Sequence, residues 1–189
     1  TDVRAIPLTN ITTNVTFVSL GTDITCIVTL TSTVYCWGSG AQGRLGRGST
    51  TDQLQPNKTA ILGLLNITSV AAGTGSHVCA ATSQGQLYCW GTNDGGQLGD
   101  GTLVSRGYPN QTPTSFTVAI VRVGGDHTCA ISTIGGLYCW GYNLYGQLGA
   151  TGFGALHAVP SEPVVNNVTD VATGQSHTCA LFVNGSVSC

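Results

Sequence analysis

A cysteine pair recurs four times along the 189-residue chain, and its interval constrains the fold more than any other property. Cys26, Cys79, Cys129 and Cys179 stand 53, 50 and 50 residues apart, and each is followed ten residues later by a second cysteine: Cys36, Cys89, Cys139 and Cys189. Ahead of each pair lies an aligned apolar segment ending in glycine: Val15 to Gly21, Ile67 to Gly73, Val118 to Gly124 and Val168 to Gly174. Behind three of the pairs stands Trp-Gly (Trp37-Gly38, Trp90-Gly91, Trp140-Gly141), leading into a glycine-rich arm that closes on Leu-Gly. In the fourth copy Cys189 stands where Trp-Gly would follow. A period of about 50 residues marks a tandem array, whose units bury their apolar faces against one another. The units read as 1–52, 53–106, 107–157 and 158–189 of a single array.

Within a unit, short β-branched runs alternate with Gly and Pro, and no stretch has helical periodicity, which predicts an all-β chain. Between Cys129 and Cys139 a turn centred on Thr133-Ile134-Gly135 sets the two cysteines opposite each other. In a non-hydrogen-bonded antiparallel pair, opposed Cα atoms lie about 4.5 Å apart, within disulfide range. The expected bridges are Cys26–Cys36, Cys79–Cys89, Cys129–Cys139 and Cys179–Cys189. Zinc is the competing use of these thiols, but the nine-residue separation lacks the short knuckle spacing of zinc sites. Each bridge would contribute about 2–3 kcal/mol, and lasting disulfides imply an oxidising compartment. Segments 49–65, 102–117 and 153–167, which hold five of the six prolines, read as variable connections.

Only 7% of residues are charged and the net charge is −2 with six Lys and Arg, which argues against a nucleic-acid footprint. No apolar run reaches the roughly 18–20 residues of a membrane span. The chain has no initiator Met and no signal-peptide pattern, so a processed chain or a segment of a longer one is expected. Seven of the ten asparagines open an Asn-x-Ser/Thr sequon: Asn10, Asn14, Asn57, Asn66, Asn110, Asn167 and Asn184. Asn14, Asn66 and Asn167 share one repeat position, where the third unit has Thr117, so N-linked glycans are expected in a row. Asn184 fits a hairpin tip. Sequons and disulfides together predict an extracellular or cell-surface protein.

The chemical candidates are sparse. His77, His127 and His177 precede the first cysteine of their units by two residues, and Ile24 fills that slot in the first unit. A residue repeated with the architecture serves the architecture, so each is expected to bond its own turn rather than join a metal-binding or anion-binding ring. Trp37, Trp90 and Trp140 are expected to pack between neighbouring units rather than form a sugar-stacking row. The carboxylates are scattered; Asp94 and Asp100, flanking one arm, are the faint calcium candidate. No catalytic residue, metal site or cofactor other than glycans is assigned, and the chain reads as non-enzymatic.

His127-Thr128-Cys129-Ala130, Leu137-Tyr138-Cys139-Trp140-Gly141 and Asn143-x-x-Gly146-Gln147-Leu148-Gly149 strongly resemble the regulator-of-chromosome-condensation repeat family, across essentially the whole chain. The resemblance implies propeller blades of four antiparallel strands, seven to a ring. Four tandem units, the last without its arm, are incomplete as such a ring and predict an open arc or one completed by neighbouring copies. The leading functional expectation is an extracellular structural glycoprotein that builds a homo-oligomer, filament or surface layer by edge or blade pairing. The alternative is a binding module that grips a protein or carbohydrate through its variable loops. Nucleotide exchange on a small GTPase, implied by the family's best-known member, conflicts with disulfides and sequons.

Overall fold

The computed structural model describes residues 14–56, 59–150, 152 and 154–189. The described residues form four antiparallel sheets in succession. The first holds β1 (Val15–Leu20), β2 (Ile24–Thr29) and β3 (Val34–Gly38). The second holds β4 (Ile67–Ala72), β5 (His77–Thr82), β6 (Leu87–Gly91) and β7 (Arg106–Thr112). The third runs β8 (Val118–Val123), β9 (His127–Ser132), β10 (Leu137–Tyr142) and β11 (Leu156–His157). The last holds β12 (Val168–Thr173), β13 (Thr178–Phe182) and β14 (Val187–Ser188). The only helical piece among the described residues is a 3-10 turn at Ala41–Gly43.

The cysteine register is the one the spacing predicts. Cys26 pairs with Cys36, Cys79 with Cys89 and Cys129 with Cys139 across their hairpins. All four bridges form, at Cα separations of 4.1–4.2 Å, and among the described residues no cysteine is free.

Three of the four bridges belong to a joint between sheets. Cys26, Cys36, Val28, Val34 and Leu45 of the first blade meet Ile67, Val70, Val78 and Trp90 of the second. Cys79, Cys89, Leu87 and Leu98 meet Val118, Val121 and Trp140 in the next joint. Cys129, Cys139, Leu137 and Leu148 meet Val168, Val171 and Ala180 in the third. No blade encloses a core by itself, as expected of a repeat array. On the outer face of the first blade Val18 is 57% exposed where Val70, in the same slot, is 1%.

The unit boundary drawn at 106/107 does not match the sheets. Arg106–Thr112, read as connection, is strand β7 and completes the second blade. It pairs with β6 through Thr112, Gln111 and Asn110, slips near Cys89, and re-pairs at Arg106 with Gly91. Pro109 sits within that irregular stretch of an edge strand, where its missing N–H interrupts no inner ladder.

Candidate interaction surfaces

Three of the four innermost strands begin in the same way. Asn14, Asn66 and Asn167 adopt left-handed backbone (φ 65°, 54° and 63°), which Asn tolerates better than most residues. Their carbonyls accept from the hairpin turns through Leu30, Ser83 and Val183 N–H at 2.8–2.9 Å. The residue two positions later is bulged out of the pairing register in all four blades. Where it is Thr, its hydroxyl donates across the bulge: Thr16 to Val28 O (3.2 Å), Thr68 to Ala81 O (3.2 Å) and Thr169 to Leu181 O (3.1 Å). The structure therefore brings Asn14, Asn66 and Asn167 to equivalent exposed positions beside the hairpin tips. Asn184 lies in the exposed tip of the last hairpin and accepts from Ser186 N–H at 3.0 Å. Asn110 differs, being within β7 with its amide donating to Asp100 Oδ2 (3.3 Å). Asn10 and Asn57 lie outside the described residues.

The opposite end of the blades carries the first-to-second-strand turns and the arms. In the arms, Asn93 and Asn143 Oδ1 accept from Leu98 N–H (2.9 Å) and Leu148 N–H (3.1 Å). Gln97 Oε1 accepts from Gly95 N–H (2.8 Å) and Gln147 Oε1 from Tyr145 N–H (3.0 Å). The motif is thus a self-bonded loop that drives Leu98 and Leu148 into the joints. Gly141, after Trp140, has φ 109°, and a Cβ there would press on Asp126 O at 2.6 Å.

Trp90 and Trp140 pack between blades as expected. Trp90 and Trp140 are fully buried, and their indole N–H groups reach back to Arg44 O (2.8 Å) and Gln97 O (3.0 Å) of the preceding arm. Trp37 is half-buried.

The histidines overturn the expectation of a bond to their own turn. His77 Nε2 meets Thr128 Oγ1 of the next blade at 2.9 Å, and His127 Nε2 meets Thr178 Oγ1 at 2.9 Å. Each threonine hydroxyl donates to the arm carbonyl of the histidine's own blade, Gln97 O or Gln147 O, at 2.8 Å. The threonine oxygen is then the acceptor, which fixes the proton on Nε2. Burial, with the neighbouring His127 secondary, lowers the His77 pKa to about 3. Burial, then His177, lowers that of His127 to about 4. In the first joint Ile24 occupies the histidine slot, and Val78 of the next blade occupies the threonine slot. His177, on the last blade, is exposed.

Among the described residues no group of three His, Cys, Asp or Glu is placed to hold a metal ion. Asp100 is enclosed by its own arm, where Arg106 donates to it at 2.9 and 3.0 Å and Thr102 Oγ1 at 2.6 Å. Burial works to raise its carboxyl, but these bonds and the Arg106 charge outweigh it and hold the pKa below its ordinary value. Asp126, on the same end of the blades, is pushed up by burial and by the Asp94 carboxylate. His157 Nε2 lies 3.0 Å from Ser161 Oγ. No described helix is long and apolar enough to cross a membrane.

Two hollows remain. A groove of about 620 Å³ runs along the four innermost strands, with Arg122 and Asp170 paired across one joint at 3.1 Å. A second, of about 510 Å³, lies between the Leu30–Thr33 turn and residues 60–66.

Residues 32–81, 84–131 and 135–181 match the regulator of chromosome condensation (RCC1) repeat. The chain belongs to that family. A human relative, the E3 ubiquitin-protein ligase HERC2, is 41% identical over 86 residues, covering 45% of this chain and 2% of HERC2. Human WBSCR16 superposes with a TM-score of 0.80 at 26% identity, covering 92% of this chain and 46% of WBSCR16. Prp20p of Saccharomyces cerevisiae, described with its binding to Gsp1p and histones, gives a TM-score of 0.77 at 21% identity, over 88% of this chain and 43% of Prp20p. The RCC1-type chain therefore spans less than half of either structural relative, and its blades are of their kind.

Proposed function

We propose that this chain is a non-enzymatic RCC1-type recognition module of the secretory pathway or cell surface, which binds a protein partner on its arm face. One observation carries the reading: the side chains that repeat from blade to blade are consumed in holding blades together. Histidine, threonine, tryptophan, glutamine and asparagine all serve joints or arms, and half-cystines clip the hairpins. What varies between units, and is exposed, is the connections that leave the arms, as at Leu103 and Val104 in the second unit, the usual place for recognition on a rigid scaffold. The Prp20p relative binds proteins, which agrees with the class of partner though not with its identity. Four disulfides favour an oxidising compartment.

The test is a binding screen of the disulfide-bonded chain against purified secreted and ectodomain proteins. A hit should be lost when residues 102–105 are replaced by Gly-Ser and kept when Asn66 becomes Asp. Absence of any arm-dependent hit, or a fully reduced chain in cells, rejects the reading.

Pairing between copies, as in a homo-oligomer or filament, is a second reading, supported by the outer blade faces. Val15, Val18 and Leu20 on one side, and Leu181 and Val187 on the other, are exposed. Their counterparts inside the stack form the joints. Light scattering should then show association that Val18→Asp abolishes; a monomer at every concentration removes the reading.

A further inference from the structure

Three of the exposed sequons have a conformational explanation for each of their residues taken singly. The asparagine suits the left-handed backbone, and the threonine hydroxyl bridges the bulge. These are separate demands at separate residues, and nothing in the backbone links them. Yet in the third blade both are lost together: Thr117 replaces the asparagine, without the left-handed backbone, and Ala119 replaces the threonine although the bulge persists. Joint presence in the first, second and fourth blades and joint absence in the third is what a requirement for the whole tripeptide produces.

Placement agrees. All four exposed sequons among the described residues lie at the hairpin-tip end of the blades, and six-residue strands set this end roughly 20 Å from the arms. The hollow beside Asn66 has an apolar wall with a hydroxyl-bearing rim. Leu30, Leu62 and Leu65 are 68%, 82% and 77% exposed around it, and Thr31, Ser32 and Thr33 border it. Asn66 itself lines the hollow. An N-acetylglucosamine offers the matching surface, a methyl group and C–H face on one side and hydroxyls on the other.

We propose that the hairpin-tip end is the carbohydrate-bearing face of the molecule, with Asn14, Asn66, Asn167 and Asn184 as acceptors, and that the first sugars on Asn66 cover the leucine hollow. Asn110 is excluded: its amide is engaged by Asp100, and the hydroxyl of its Thr112 is buried and donates to Leu98 O at 2.7 Å. The proposal rests on the compartment part of the function above, not on the partner.

The chain is expressed through a eukaryotic secretory pathway, and each sequon is read by glycopeptide mass spectrometry. Occupancy is expected at Asn14, Asn66, Asn167 and Asn184, with Asn110 bare. Trimming to a single N-acetylglucosamine should leave binding of a hydrophobic dye low. Complete removal, or Asn66→Asp, should raise it several-fold, and Leu62→Ser with Leu65→Ser should cancel the rise. Aspartate tolerates left-handed backbone, so Asn66→Asp keeps the fold; thermal melting checks this. A bare Asn66 on a fully disulfide-bonded chain overturns the proposal while leaving the compartment reading intact, and so does occupancy at Asn110. A dye signal indifferent to the sugar also overturns it, and then points to a protein as the cover of the leucines.

Discussion

The joint between the first and second blades and the joint between the second and third share one backbone plan but are closed by different chemistry. In the first, Ile24 faces the slot of Val78, and the contact is apolar. In the second, His77 and Thr128 fill the same two slots, and a hydrogen-bonded chain runs from imidazole through hydroxyl to the Gln97 carbonyl. Around both, a tryptophan of the later blade reaches back to the preceding arm, at Arg44 O or Gln97 O. The difference teaches that the joint needs matched partners more than it needs polarity. A buried imidazole without its hydroxyl incurs the desolvation cost of a polar group, whereas an apolar pair avoids it.

The comparison is broken most severely by removing what the joints share. Trp140→Ala should cost about 3–5 kcal/mol by cavity formation, read as a lower denaturation midpoint, and Trp90→Ala should match it. Equal loss in both would show that the tryptophan contact is indifferent to the neighbouring chemistry.

Smaller, and more discriminating, is the exchange of one joint's chemistry for the other's. Thr128→Val alone orphans His77 and should cost about 1–3 kcal/mol. Adding His77→Ile should recover most of it in a double-mutant cycle. Ile24→His alone should be destabilising, and Val78→Thr should partly rescue it. A double variant no better than Thr128→Val would sink the matched-pair idea.

Acid separates the joints next. In the folded chain His77 and His127 stay neutral down to about pH 3 and 4, whereas an unfolded histidine titrates near 6.5. The unfolded state therefore binds protons first. Stability from these groups is complete above about pH 6.5 and lost as pH falls towards their folded values, by at most about 1.4 kcal/mol per pH unit for each ring. The His77→Ile, Thr128→Val variant should lose less on acidification than the parent, and parallel curves would contradict the assignment. The smallest effect is expected at the surface: Asn66→Asp should change the bare chain's stability by less than about 0.5 kcal/mol.

Much of this was legible from the residues. Hairpin spacing alone placed Cys129 against Cys139, and Trp-Gly announced a ring packed against a close neighbour. β7 was hidden because Pro109 and Gly107 read as loop, and only its edge position makes them tolerable. The histidine partners were hidden for another reason. His127 and Thr128 are adjacent in sequence, which invites a local bond, but the interaction runs from one unit to the next, 51 residues on. A signal existed: Ile24 lacks the imidazole and Val78, one unit later, lacks the hydroxyl. Reading each repeat against its successor, rather than in alignment with it, exposes the pair.

That offset gives the array a grammar of succession. The third unit presents an imidazole forward and a hydroxyl backward, so a duplicate inserted behind it would find its terms agreed on both sides. The second presents isopropyl backward and imidazole forward, and so serves as an adaptor between two dialects. Duplicating it would set His77 against a second copy of Val78, an imidazole without its hydroxyl. Lengthening by copying is therefore open to this chain at some units and closed at others.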